Sequence, residues 1–153
     1  MMTSQTSSSL WMMSNSLKNT FHKISYDGLN ARQQENYNFH KIAAKLADYG
    51  FTSIKLSDDW QGADFIACHC NGLDSIKVQL KGRVTIDKKY LDKDIYIGFI
   101  HEDKYYVFPH DVIVREVLAT SNVEATKSWQ ERGVYNWPQP TKWLHDIIKE
   151  YEL

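Results

Sequence analysis

The sequence contains little of what marks extracellular, membrane or strongly charged proteins. It has two cysteines, three prolines and a formal net charge of −1 in 153 residues. Two cysteines provide no disulfide framework, so we expect a reducing compartment and a cytoplasmic location. No apolar run approaches the roughly 20 residues that a membrane span needs, so no membrane partner is expected. The near-neutral charge means that any surface for nucleic acid requires uneven placement of charged residues.

Several familiar chemical motifs are also missing. The chain has no Walker phosphate loop, no G-x-G-x-x-G and no nucleophile elbow. The run Cys68-His69-Cys70 lacks the C-x₂₋₄-C spacing and the second ligand pair of a zinc site, so we interpret both cysteines as buried strand thiols. What remains is an ordinary globular composition, with 42% hydrophobic and 24% charged residues.

The length predicts one domain with a hydrophobic core. The first 20 residues are rich in Ser, Thr and Asn, so we expect residues 1–22 to be disordered and residues 23–153 to form a single domain with a C-terminal helical extension. A helix is predicted over 31–49, with Asn30 and Gln33 as a capping box and Gly50 as its C-terminal stop.

Alternating apolar residues predict the strands, and the third of them has the clearest alternation. In that strand Ile76, Val78 and Leu80 face one way, and Lys77, Gln79 and Lys81 face the other. A turn is expected over 58–62, and Asn71-Gly72 indicates a hairpin. Later helices are predicted near Asp111 and Pro140, whereas residues 121–139 show no clear pattern. The five predicted strands cover about 51–57, 64–70, 75–82, 94–100 and 104–108. This order predicts an α/β domain with a mixed central sheet flanked by helices.

Three polar side chains lie where the second and third strands would meet. Asp64 opens the second strand, and Gln79 and Lys81 share a face of the third, so a favourable register brings them together. The Asp64 carboxylate, the Gln79 side-chain oxygen and the Leu80 carbonyl are the hard oxygen ligands that Mg²⁺ prefers. Lys81 is suited to holding a water molecule and stabilising a phosphate. Glu35 shares the apolar face of the helix, where burial of a carboxylate requires a partner.

Together these residues resemble the PD-(D/E)XK nucleases. The pattern stands as Glu35 in ARQQENYNFHKIAAKLADYGF, Asp64 in DWQGADFIA and Gln79-Leu80-Lys81 in IKVQLKGR, within residues 30–118. It is similar to archaeal Holliday-junction resolvases and group I intron homing endonucleases. The resemblance implies a restriction-endonuclease-like core and hydrolysis of DNA with Mg²⁺ or Mn²⁺. It also implies a catalytic set of Glu35, Asp64, Gln79 and Lys81, in which Lys81 assists the water. The implied metal ligands are Asp64, Gln79, the Leu80 carbonyl and Glu35. Two positions depart from the family pattern: Ala63 replaces the proline, and Gln79 replaces an acidic residue.

A DNA partner requires basic side chains near this site. Residues 77–94 hold six basic and three acidic residues, a local excess of three positive charges, although a solvated hairpin explains them as well. The DNA-binding candidates are Lys77, Arg83, Lys88 and Lys89. One site of this kind cuts one strand, so a homodimer or higher homo-oligomer is expected, and exposed aromatic residues near the C-terminus are one possible interface. We favour packing against the C-terminal helix for Trp129, Tyr135 and Trp137.

Structural interpretations stand beside each candidate. Asp64 can cap a turn, Gln79 and Lys81 can form a solvated strand face, and Glu35 is favoured near a helix N-terminus by the helix dipole. Asp58 and Asp59 are expected in a turn rather than as ligands, and His101 and His110 are expected to be structural. The main functional alternative is a catalytically inactive module of the same fold that binds nucleic acid or protein. An unrelated α/β domain is a third hypothesis.

Overall fold

The computed structural model describes residues 20–153. Contacts divide the chain into two units, Met1–Gln34 and Glu35–Leu153. Residues 1–19 of the segment 1–22, which we expect to be disordered, lie outside the described residues. The single domain over 23–153 stays a prediction. Within residues 20–153, no helix combines the length and apolar character needed to cross a membrane.

The first long helix, α1, covers Ala31–Ala47 and begins with the predicted capping box. The Gln33 N–H donates to the Asn30 side-chain oxygen, and the Asn30 N–H donates to the Gln33 side-chain oxygen, each at 2.9 Å. These two bonds satisfy backbone donors that the first turn leaves without partners. Gly50 follows the helix in the left-handed conformation, with a φ of +86°. The predicted start of α1 and the left-handed Gly50 are therefore confirmed, whereas the helix ends at Ala47, two residues earlier than expected.

Five strands form a mixed central sheet in the order β1-β2-β3-β5-β6. β3 and β5 are parallel, whereas the other neighbouring pairs are antiparallel. The strand bounds are β1 Phe51–Trp60, β2 Ala63–His69, β3 Ser75–Leu80, β4 Val84–Asp87, β5 Ile95–His101, β6 Lys104–Pro109 and β7 Val134–Trp137. Two further helices are α2, His110–Thr120, and α3, Lys142–Ile148. The predicted fold class, an α/β fold with a mixed sheet flanked by helices, is confirmed.

A hydrophobic core covers each face of this sheet. On one face, α1 packs its buried Phe39, Ile42 and Leu46 against β2 and β3. On the other face, β5 contributes Ile95, Ile97 and Phe99 to a second core with α2 and α3. Val78 and Leu80 lie in the α1 core, and Gln79 pairs in register with Ile97. The predicted alternation of β3 is therefore confirmed, and it directs Gln79 away from α1.

A second, two-stranded sheet was not predicted. β4 pairs antiparallel with β7, about 50 residues later in the chain. Val84, Thr85 and Ile86 are buried, so the hairpin considered for residues 77–94 is wrong. Strands of four residues joined across such a separation leave no local turn signal, which explains why the sequence pattern missed them.

The aromatic residues between 121 and 139 mostly belong to the core. Trp129 and Trp137 are buried, and the ring of Trp137 meets Trp143 of α3 edge to face at 5.9 Å. Packing against the C-terminal helix is confirmed, whereas an interface of exposed tryptophans at these two positions is wrong. The short helical turns of the structure cover Tyr26–Gly28, Lys88–Tyr90, Val123–Ala125, Ser128–Arg132 and Lys149–Tyr151.

Two loops differ from their predicted form. β1 extends to Trp60, so Asp58 and Asp59 lie in a strand and the turn consists of Gln61 and Gly62, both with positive φ. β2 ends at His69 and β3 begins at Ser75, so the loop of the confirmed hairpin is longer than two residues. Cys70 lies in that loop and is exposed, because the strand ends before it. The prediction of two buried strand thiols is therefore wrong for Cys70, and Cys68 lies in β2 but is only half-buried.

Gly98 gives a test of how tightly α1 packs on the sheet. A Cβ at Gly98 would lie 3.2 Å from Ile42 and from Val78, and 3.3 Å from Leu80. We expect Gly98→Ala to lower the free energy of unfolding by about 1–3 kcal/mol, because overpacking forces these side chains apart. The control is Gly82→Ala, where nothing lies within 4 Å and the expected change is within about 0.5 kcal/mol. Urea denaturation measures both, and equal stability of the two variants would contradict close packing at this position.

Candidate active site

The candidate site lies where β2 and β3 separate. Their backbone pairing ends at Phe65 and Val78. Beyond that pair, the Leu80 N–H donates at 2.8 Å to a carboxylate oxygen of Asp64 instead of to a backbone carbonyl. The next residue, Lys81, donates its N–H to the Gly98 carbonyl at 2.9 Å, so β3 remains bonded to β5. The Asp64 carboxylate therefore takes the place of a ladder bond, and it is held beside the end of β3.

Gln79 presents a buried oxygen with no hydrogen-bond partner. Its side-chain carbonyl oxygen is buried and unbonded, and its side-chain nitrogen donates to the Leu80 carbonyl at 3.4 Å. A buried polar group without a partner costs about 1–3 kcal/mol. A cation bound at this oxygen would remove that cost. The donor set at the end of β3 consists of the Asp64 carboxylate, the Gln79 amide oxygen and the Leu80 carbonyl, which fits a hard divalent ion.

Two further carboxylates act on Asp64. Burial is the largest effect and raises the pKa of Asp64, while the hydrogen bond from the Leu80 N–H lowers it. The charges of Glu35 and Asp59 raise this pKa as well, and Lys81 lowers it. Asp64 is thus a half-buried carboxylate among like charges, an environment that a bound cation would stabilise.

Glu35 and Asp59 are placed differently from the sequence expectation. Glu35 is exposed, because it lies in the first turns of α1, before the buried Phe39. The predicted burial of Glu35 is wrong, but its charge acts on Asp64. Asp59 was expected in a turn and lies in β1, close enough to influence both Asp64 and Lys81. Asp59 lies within the irregular stretch of β1 between Lys55 and Trp60, and no local pattern signalled that proximity.

Lys81 is held over an aromatic ring. Its ammonium nitrogen lies 5.3 Å from the centre of the Tyr90 ring, and the Lys89 ammonium lies 5.1 Å from the same centre. Burial lowers the pKa of Lys81, and the charge of Lys89 lowers it further, whereas Asp87, Asp64 and Asp59 raise it. The result is a lysine constrained beside Asp64 and more readily deprotonated than a lysine in water.

Tyr90 reaches this position through the second sheet, and sequence patterns missed it. The turn Lys88–Tyr90 follows β4, and the Asp87 side chain caps it by accepting the Lys89 N–H at 3.0 Å. The Asp87 N–H donates at 3.0 Å to His110, whose ring also meets Tyr90 edge to face at 5.6 Å. Burial raises the pKa of Tyr90 and lowers that of His110, which favours the neutral form of both groups. His110 is therefore structural, as predicted.

The four candidate DNA contacts lie along residues 77–89: Lys77 in β3, Arg83 directly before β4, and Lys88 and Lys89 in the turn after it. Lys77 is half-buried, and Arg83, Lys88 and Lys89 are exposed. Each also has a partner within the protein: Lys77 donates to the Lys93 carbonyl, Arg83 donates to the Asn136 side chain, Lys88 lies over Trp129, and Lys89 lies 3.7 Å from Asp87. Their roles toward DNA stay a prediction.

Among the described residues, no cluster of three His, Cys, Asp or Glu side chains is arranged to hold a metal ion. One carboxylate stands at the centre of the candidate site, and the other oxygens come from an amide and a backbone carbonyl.

The solved structures to which this chain is similar include a resolvase and a homing endonuclease. One is a Holliday junction resolvase from Archaeoglobus fulgidus, with 14% identity and a TM-score of 0.41 over 50% of this chain and 72% of the resolvase. The other is a bacterial homing endonuclease, with 19% identity and a TM-score of 0.42 over 56% of this chain and 69% of that enzyme. No family model and no curated protein matches the chain.

The raised pKa of Asp64 makes a prediction about stability. Its ionised form is less favourable in the folded chain than in the unfolded chain, so Asp64→Asn is expected to increase the free energy of unfolding at pH 7.5 without metal. Asparagine keeps an oxygen that can accept the Leu80 N–H. The gain should shrink as the pH falls toward the ordinary aspartate pKa of about 3.9, where Asp64 becomes protonated in both states.

Urea denaturation in EDTA at pH 7.5 and pH 4.5 tests this expectation. Asp103→Asn, in an exposed turn, is the matched control, and little change is expected there. A less stable Asp64→Asn protein at both pH values would contradict the electrostatic account of Asp64.

Proposed function

We propose that this protein is a metal-dependent DNA endonuclease that hydrolyses phosphodiester bonds. The observation that carries the proposal is the buried, unbonded oxygen of Gln79, one residue before Leu80, whose N–H holds the Asp64 carboxylate in place. The order of Glu35, Asp64, Gln79 and Lys81 along the chain, which resembles the PD-(D/E)XK pattern, supports it.

The proposed metal ligands are Asp64, the Gln79 side-chain oxygen and the Leu80 carbonyl, with Glu35 acting from the edge of the site. All are hard oxygen donors, as Mg²⁺ or Mn²⁺ requires. A bound ion of this kind would offset the negative charge of the phosphate and make water more acidic. Asp59 is added to the proposed site because its charge acts on the same carboxylate.

In this proposal Lys81 acts on the water and on the phosphate. Its ammonium group lies over the ring of Tyr90, and the charge of Asp64 acts on it. An ammonium group has three N–H donors, which can hold a water molecule and stabilise the negative charge that develops on a phosphate during hydrolysis. Burial lowers the pKa of Lys81, which makes its ammonium group a better proton donor than that of a lysine in water.

DNA is the proposed partner, with Lys77, Arg83, Lys88 and Lys89 contacting its phosphates. Each contact is electrostatic, so affinity should fall steeply with salt. Cutting both strands of a duplex requires two sites, so we propose a homodimer or a higher homo-oligomer. A role in mobile elements, repair or restriction, in the cytoplasm, is compatible with this activity.

The second candidate function is a module of the same fold that binds nucleic acid or protein without cleavage. Gln79 favours it, because an amide replaces a carboxylate and the site loses one negative charge. Among residues 20–153 there is also no cluster of three acidic, histidine or cysteine ligands.

DNA cleavage tests the proposal. Purified protein is incubated with supercoiled, linear and branched DNA in Mg²⁺ or Mn²⁺, with EDTA as the metal-free control. We expect Asp64→Ala and Lys81→Ala each to reduce the cleavage rate by about 100-fold or more, because Asp64 would hold the metal ion and Lys81 would stabilise negative charge on the phosphate. Lys142→Ala, an exposed lysine at the start of α3, serves as the matched control and should retain activity.

Cleavage that persists in Asp64→Ala would contradict the proposed site. A folded wild-type protein that binds DNA but cuts none of the three forms would favour the non-cleaving module.

A further inference from the structure

An exposed tryptophan lies beside the candidate site and has no role in the proposal so far. Trp60 ends β1 and is 51% exposed, although tryptophan is a highly buried residue on average. It pairs across the turn with Ala63, the residue directly before Asp64. The charge of Asp59, the residue directly before Trp60 in the chain, acts on Asp64.

The turn that follows Trp60 contacts the same aromatic ring as Lys81, the proposed catalytic lysine. Gln61 and Gly62 both have positive φ, of 52° and 86°. A Cβ at Gly62 would lie 3.0 Å from the Tyr90 ring, so the turn packs directly on this tyrosine. Lys81 lies over the same ring. The turn and Lys81 therefore share one support, the ring of Tyr90.

A cation accompanies the indole ring. The Lys77 ammonium lies 5.9 Å from the centre of the Trp60 ring and donates a hydrogen bond to the Lys93 carbonyl. That bond uses one of the three N–H donors of Lys77, and two remain for a phosphate. An aromatic ring next to a lysine is the combination that binds a nucleobase together with its backbone.

We propose that Trp60 stacks on an unpaired base of the DNA strand whose phosphate occupies the active site. The inference rests on the proposed nuclease function and specifies its substrate class, DNA with an unpaired or displaced nucleotide next to the cleaved bond. A base within a regular duplex already stacks on its neighbours, so it reaches Trp60 only after unstacking. An unpaired base reaches the ring without that penalty.

DNA binding by the full-length protein in Ca²⁺ tests this inference separately from cleavage. Ca²⁺ is a hard ion with oxygen ligands and offsets the carboxylate charges during binding. Fluorescence anisotropy compares a fully paired duplex with the same duplex carrying one unpaired base, and with an abasic nucleotide at that position. We expect wild-type protein to prefer the unpaired base by roughly 5-fold to 150-fold, the range that stacking on an aromatic side chain provides.

Three variants identify the source of this preference. Trp60→Ala should lose it, and Trp60→Phe should retain part of it, because phenylalanine still offers a ring. Ile54→Ala is the matched control, since Ile54 is a 55% exposed apolar residue of the same strand, and it should behave as wild type. The abasic duplex should bind no better than the paired duplex. Circular dichroism melting establishes that each variant is folded.

The outcomes separate the two proposals. If Trp60→Ala binds all duplexes as tightly as wild type, or weakens all of them equally, base stacking is overturned while the nuclease proposal stands. If the wild-type protein binds no DNA of any form, both proposals are overturned.

Discussion

The site depends on one hydrogen bond, the donation from the Leu80 N–H to the Asp64 carboxylate at 2.8 Å. It replaces a backbone bond at the point where β2 and β3 part, and it holds an acidic side chain in a half-buried position. Because side chains alternate along β3, the burial of Val78 and Leu80 under α1 directs Gln79 to the opposite face, beside Ile97. A shift of register by one residue would reverse this arrangement and remove the site.

The charged groups around Asp64 and Lys81 lower the stability of the folded chain. Burial and the carboxylates of Glu35 and Asp59 act against the ionised Asp64, and burial and Lys89 act against the charged Lys81. The unbonded oxygen of Gln79 adds to that cost. The two hydrophobic cores on either face of the sheet offset it. A cation-binding site requires such groups in place before the cation binds. The chain must therefore fold with the unfavourable charges and the unbonded oxygen already present.

Local patterns predicted the parts of the fold that depend on local physics. The capping box of α1, the alternation of β3 and five of the seven strands follow from residues close in sequence. The parallel pairing of β3 with β5 and the sheet of β4 and β7 depend on contacts between distant segments, which no local period encodes. Tyr90 belongs to that second group, because its place under Lys81 is set by β4 and by His110. Helical spacing placed Glu35 on the apolar face of α1. It could not show that the first turns of α1 extend beyond the core, which leaves Glu35 exposed.

Metal binding at Gln79 tests the central claim most directly. Mn²⁺ binding is followed by electron paramagnetic resonance for the wild-type protein, Gln79→Glu and Gln79→Leu. Both substitutions leave Asp64 and its hydrogen bond in place. If the Gln79 oxygen is a ligand, Gln79→Glu binds Mn²⁺ more tightly, because it adds a negative charge. Gln79→Leu binds Mn²⁺ at least about tenfold more weakly, a loss of at least about 1.4 kcal/mol of binding free energy. Equal affinity of all three proteins for Mn²⁺ would contradict the account of this site.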